Sequence, residues 1–189
     1  STKEMLYCTS PYNISTFKSL LTNHSDKASH IINDEILSLA EMYSLNLDIK
    51  LHPIAQNYCY NYFNELINSK GYKNSNLVYG MTAESIASRY KLIILDFLGT
   101  AIVQYILSLK IPVIVYVRYF DILDNRVKED LLKRCYVVHN REELNEIVQR
   151  YSYGELPSKY SKEFVDKYVY PVKKDDPGIM VANYIKSIV

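Results

Sequence analysis

A chain of 189 residues, 48% of them hydrophobic, is long enough for one domain with a sizeable core. A formal net charge of +1 leaves no strong field for nucleic acid or an anionic membrane, so no nucleic-acid partner is expected. Three cysteines, Cys8, Cys59 and Cys135, are odd in number and far apart, which excludes a disulfide framework and a cysteine metal site and predicts a reducing compartment. No apolar run reaches the roughly 18–20 residues that span a bilayer, and no signal peptide opens the chain; a cytoplasmic protein without a transmembrane segment is expected, with peripheral association at an inner membrane compatible with it.

Glu4 to Ser10 reads as a first strand, ended by the turn signal Ser10-Pro11. Residues 14–27 have no clear period. Ala28, Ile31, Ile32, Leu39, Ala40 and Met42 share one face of a predicted helix over 28–45, and Leu47 to Leu51 alternates as a strand that His52-Pro53 stops. Gln56 to Lys70 reads as a tyrosine-rich helix closed by Gly71, and residues 76–80 as a short strand. Thr82 is a suitable N-cap for a helix to Tyr90.

The centre of the chain is 91–117. The run Leu92–Leu95 has the length and composition of a strand buried on both faces; Asp96-Phe97-Leu98-Gly99-Thr100 follows as a tight loop. Ile102, Val103, Ile106, Leu107 and Leu109 recur at helical spacing, and Ile111–Val117 returns as a strand with Pro112 near its start. A helix over 127–133, a strand over 134–139 and a helix from Asn140 to about Tyr151 complete the alternation, with Asn140 and Glu143 forming a capping box. The tail carries Pro157, Pro171 and Pro177 among charged residues, then an apolar helix over 178–189. Strands alternating with helices predict an α/β domain over 1–155: a mostly parallel sheet in a Rossmann-like three-layer α/β/α sandwich, with 156–189 packing back on it or towards another domain.

In such sheets ligands sit beyond the carboxyl ends of the strands. Two loops there carry chemistry. Lys50-Leu51-His52-Pro53 places an imidazole at a strand end, with Pro53 fixing the chain direction. Gly99-Thr100 at a helix start offers free N–H groups, a hydroxyl and the positive end of the helix dipole, which suits a phosphate. The competing readings are a satisfied loop histidine and an ordinary N-cap. No Walker loop, G-x-G-x-x-G fingerprint or nucleophile elbow is present, which argues against NAD, ATP-hydrolysis and serine-hydrolase chemistry. Asp96 to Thr100 also resembles the Asp-x-Asp-Gly-Thr loop of haloacid-dehalogenase-type phosphatases, but Leu98 stands where the acid/base aspartate belongs, and that reading is rejected. His24, His30 and His139 read as surface or structural residues, and Glu142 and Glu143 as capping ones.

A strand ending in Lys-x-His-Pro, then a strand–helix pair, then apolar strand, Asp-x-x-Gly-Thr, helix and Ile-Pro-Val-Ile, resembles the C-terminal, donor-binding half of GT-B glycosyltransferases, in particular bacterial enzymes with an "HP" motif that build surface and capsular polysaccharides. The likeness covers roughly residues 4–150. It implies that His52 contacts the phosphate of a nucleotide-activated sugar, CMP-, CDP- or UDP-linked, that Gly99 and Thr100 cradle the same phosphates, and that Asp96, Thr9 and Ser10 belong to the donor site. Gln104 stands where many such enzymes carry a glutamate for the donor ribose or sugar. No metal and no cofactor beyond the donor is expected, and no catalytic base is assigned. A GT-B enzyme needs two Rossmann-like halves and this chain has room for one, so an N-terminal half of the same protein or a partner domain is implied. The alternative is a non-catalytic α/β interaction module with a degenerate nucleotide site, using the helix over 56–70 as its surface. A GT-B-like sugar-nucleotide epimerase, also of two halves, is a third reading.

Overall fold

Six short runs rich in Leu, Ile, Val and Tyr pair side by side in the computed structural model, which describes residues 3–10, 26–53, 56–99, 101–117, 125–169 and 185–187. In chain order the strands are β1 (Lys3–Cys8), β2 (Leu47–Lys50), β3 (Ser75–Leu77), β4 (Tyr90–Leu95), β5 (Val113–Tyr116) and β6 (Tyr136–Val138). The helices are α1 (Asp26–Met42), α2 (Gln56–Lys70), α3 (Ala83–Ile86), α4 (Ala101–Ser108), α5 (Asn125–Arg134), α6 (Arg141–Ser152) and α7 (Lys162–Phe164). Every strand pair is parallel and the order is β3-β2-β1-β4-β5-β6. This is the doubly wound order whose direction reverses between β1 and β4. β1 therefore lies in the middle, with Cys8 level with Lys50 on one side and Leu95 on the other.

Alternate residues divide the core in two. Met5 and Tyr7 of β1, with Leu47 and Ile49 of β2, pack under α1, α2 and α6 through Ile32, Ile36, Phe63 and Leu144. Leu6 and Cys8 face the other layer, with Ile86 of α3, Val103 and Ile106 of α4, and Leu131 of α5. Burying one such aliphatic side chain stabilises the fold by about 1.5–3 kcal/mol. Three consecutive residues of α1 also accept tyrosine hydroxyls from three elements: Asn33 from Tyr7 of β1, Asp34 from Tyr72 just after α2, and Glu35 from Tyr116 of β5. Because neighbours on a helix point about 100° apart, these bonds fix its rotation as well as its position.

The three-layer Rossmann-like fold is thus the one the alternation of elements predicts. Several boundaries differ. The helix over 82–90 is one α turn followed by a 3₁₀ turn, Ala87–Arg89, and β4 starts at Tyr90, whose ring is buried and whose hydroxyl donates to Asp48 at 2.7 Å. Arg134 ends α5 instead of opening a strand. Its fully buried guanidinium donates to the carbonyls of Leu107 at 2.7 Å and Leu109 at 2.6 Å, satisfying the C-terminal end of α4. The tail segment that reads as charged spacer forms α7 and a wider helical turn, Val165–Val169; Phe164 joins the second core, Tyr168 and Val169 pack against it, and Val165 is buried as well. The turn at Pro11 and most of the helix over 178–189 lie outside the described residues. No helix among the described residues is long and apolar enough to cross a membrane.

Candidate functional site

The carboxyl ends of β1, β2 and β4 meet at the point where the strand order reverses, and the segments that continue from them are tied together directly. Beyond β1, the Thr9 N–H donates to the Lys50 carbonyl at 3.1 Å, and the Thr9 hydroxyl accepts the His52 N–H at 3.2 Å. Beyond β4, Asp96 accepts the Ser10 N–H at 2.6 Å and the Ser10 hydroxyl at 3.0 Å. His52, Thr9-Ser10 and Asp96, from three segments that the sequence separates widely, therefore form one continuous rim.

Asp96 is the interior of that rim. It is 1% exposed, and besides Ser10 it takes the Tyr7 hydroxyl at 2.8 Å on Oδ2. The single Tyr7 proton faces two acceptors, Asp96 Oδ2 and Asn33 Oδ1 at 2.7 Å, and the carboxylate forms the stronger bond because it is charged. A carboxylate buried to this degree, with both oxygens engaged by donors of the chain, braces β1 against β4. Both of its oxygens are thus spent on the chain itself, and through them it holds the Ser10 backbone in place.

His52 is half-buried. Burial, and then the neighbouring Lys50 charge, hold its imidazole below the usual histidine range, so at neutral pH the ring is uncharged. Lys50 itself is only 4% exposed. Burial pushes its ammonium below the usual lysine range, against the opposing pull of Cys8 and Glu84. Cys8, level with Lys50, has its thiol pushed up to about 12 by burial first and the Asp96 charge second, which leaves it protonated and unreactive.

Gly99 is exposed in the loop before α4, and a Cβ built there would run into the Phe97 ring. A side chain at this position would therefore have to displace the Phe97 ring. Thr100 lies outside the described residues. Gln104 is exposed on the first turns of α4, while Val103, Ile106 and Leu107 face the core. The structure therefore joins Thr9, Ser10, His52 and Asp96 by hydrogen bonds and puts Gly99 and Gln104 on the following loop and helix. His139 belongs to the α6 cap, its N–H donating to Glu143 at 2.8 Å. Among the described residues no group of three or more His, Cys, Asp or Glu side chains is placed to hold a metal ion.

Tyr7 and Asn33 were not legible as members of this region. Tyr7 looks like any inward strand residue, and its bond to Asp96 spans 89 positions. Lys50 looks like the polar half of an alternating strand, and only its burial sets it apart. A further rim feature is a pair of exposed rings, Tyr60 of α2 and Tyr79 beyond β3, packed edge to face at 5.0 Å between centroids.

No protein-family model matches this chain, and no curated protein matches it in sequence. Solved structures resemble it in three dimensions. The UDP-GlcNAc 2-epimerase of Methanocaldococcus jannaschii, solved with UDP-GlcNAc and UDP, superposes with a TM-score of 0.53 at 13% identity, over 90% of this chain and 44% of the epimerase. The glycosyltransferase VinC, solved with dTDP, gives 0.46 at 8% identity over 91% of this chain and 37% of VinC; SnogD, a glycosyltransferase from Streptomyces nogalater, gives 0.40 at 14% over 91% and 44%. The chain spans less than half the length of each. The likeness to the epimerase shows a GT-B-like fold and extends to the fold alone.

Proposed function

We propose that this chain is the nucleotide-sugar (donor) binding domain of a glycosyltransferase acting in bacterial surface polysaccharide biosynthesis, the donor being a CMP-, CDP- or UDP-linked sugar. The observation that carries the reading is the rim at the strand-order reversal, where the His52 segment is bonded to Thr9 and the Ser10 segment to Asp96. The topology opens a crevice at this point, and α4, eight residues long, starts beside it with the positive end of its dipole. The epimerase of like fold holds UDP-GlcNAc and UDP. The half missing here, another part of the same protein or a partner domain, supplies the acceptor site.

In this reading His52 and the start of α4 stabilise the leaving nucleoside phosphate as negative charge develops on it. An anion beside His52 offsets the Lys50 charge, the second cause that depresses its imidazole, and so favours the protonated ring. Asp96 fixes the Ser10 backbone, Gly99 and Thr100 are assigned to the phosphates, and Gln104 offers an amide to donor hydroxyls. The alternative, a non-catalytic interaction module using α2, has less support: Phe63 is fully buried, Tyr62 is half-buried and bonded to His30, and Tyr60 alone of these rings is exposed.

The test is a thermal-shift screen with CMP, CDP, UMP, UDP, GDP and ADP. A ligand at 100 times its Kd adds about 2.7 kcal/mol, which is a rise of about 5–11 °C for a domain of this size. His52→Ala should weaken the responding nucleotide at least tenfold and leave the unliganded Tm within a few degrees. If His52→Ala binds the nucleotide as tightly as the wild type, the rim is not the donor site.

A further inference from the structure

Lys50 is a buried cation with almost nothing to hold it. Among the described residues its Nζ makes one hydrogen bond, to the Leu51 carbonyl at 3.1 Å, although an ammonium has three protons to donate. Among the described residues no carboxylate lies within ion-pair distance of it. Keeping an ammonium out of water with one hydrogen bond and only the more distant Glu84 charge to offset it is unfavourable, and a methionine would fill much the same volume without that cost. A residue this unfavourable for the empty fold has its use elsewhere.

Its position says where. Leu47, Ile49 and Leu51 point into the first core, so Lys50 points to the opposite face, the one that α3 and α4 cover. His52 follows two residues on, and its imidazole feels the Lys50 charge. Cys8 is level with Lys50, and Thr9 and Ser10 rise directly beyond it. The unspent donors thus lie just under the rim, on the side from which α4 starts.

We propose that Lys50 is the countercharge of this site: its ammonium pairs with the phosphoryl anion of the bound nucleotide and supplies the discrimination between a nucleotide and the uncharged nucleoside. The proposal rests on the reading of the rim as a nucleotide site and adds the residue that carries its charge. The anion completes the hydrogen bonds that the protein leaves open and offsets the burial that the empty fold endures. In return, a ligand without phosphate leaves Lys50 as unpaired as it was.

The experiment is calorimetric titration of the wild type and Lys50→Met with inorganic pyrophosphate, UDP, CMP, uridine and cytidine. Lys50→Met should bind pyrophosphate and the responding nucleotide at least tenfold more weakly, bind the nucleosides as the wild type does, and melt at or above the wild-type temperature. Should Lys50→Met not fold, Lys50→Gln carries the same comparison. If both proteins bind the nucleotide equally, the Lys50 assignment is overturned and the donor-site reading stands. If the wild type binds pyrophosphate through Lys50 but no nucleotide, the anion site stands and the donor reading falls. If the wild type binds none of these, both fall.

Discussion

Replacing Asp96 by alanine removes the acceptor of the Ser10 N–H, the Ser10 hydroxyl and the Tyr7 hydroxyl in one step. The hydroxyls have alternatives, since Tyr7 turns its proton wholly to Asn33 and Ser10 rotates. The Ser10 N–H has none, and a buried donor left without a partner costs about 1–3 kcal/mol. The small cavity adds to this and the lost burial of a charge subtracts, so we expect Asp96→Ala to destabilise by about 2–3 kcal/mol, or a Tm lower by about 4–12 °C. Urea unfolding measures the change, and a double-mutant cycle with Tyr7→Phe should show a coupling of about 1 kcal/mol, because each mutation removes part of the same bond. A cost for Asp96→Ala below about 0.5 kcal/mol, or full additivity with Tyr7→Phe, would refute the brace between β1 and β4.

The α6 cap gives a second expectation. Glu143 accepts the His139 N–H, the His139 ring and the Asn140 amide, and these bonds, the His139 N–H first, hold its carboxyl below the usual value of 4.5. A depressed carboxyl stabilises the fold above its unfolded pKa and loses that contribution as pH falls through the folded one; Glu143→Gln should therefore unfold at lower urea than the wild type at pH 7, with the gap closing below pH 4 to about the noise of the assay. The thiols give a third. Burial pushes both Cys8 and Cys135 up to about 12, so in a Cys59→Ser background neither should react with Ellman's reagent at pH 8 until urea unfolds the chain; rapid labelling of the native protein would contradict the burial.

Much of the fold is legible because its signals are local. The span of α2, Gln56–Lys70, follows from its periodicity and from Gly71, which adopts φ +70° as a helix-ending residue should. The cap of α6 follows from Asn140 and Glu143, whose N–H bonds back to the Asn140 side chain at 2.9 Å. What fails to show is whatever depends on distant partners. The charged tail hides two apolar residues, Phe164 and Val165, whose burial depends on elements distant in sequence and not on any pattern of their own. Arg134 reads as the first residue of a strand, and its place at the end of α5 does not show because its partners, the last carbonyls of α4, lie more than twenty residues away. At the candidate site the sequence marks His52, Asp96 and Gly99 as strand-end residues, but the bonds that gather them, and the isolation of Lys50, exist only once β1 lies between β2 and β4.

That central place of β1 also bears on how the chain is made. Both of its neighbours are synthesised after it: β2 starts at Leu47 and β4 only at Tyr90. At about 5–20 residues per second, synthesis leaves β1 with one edge open for roughly 4–16 s, a bare row of parallel-strand donors and acceptors facing the crowded interior of a cell. Short β2 and β3 cannot close that edge, and no hairpin does so in a parallel sheet. The strand that leads into Ser10 is therefore synthesised before both of its neighbours and is among the last to be shielded, and growth at high temperature or with little chaperone should lose this protein to aggregation before β4 arrives.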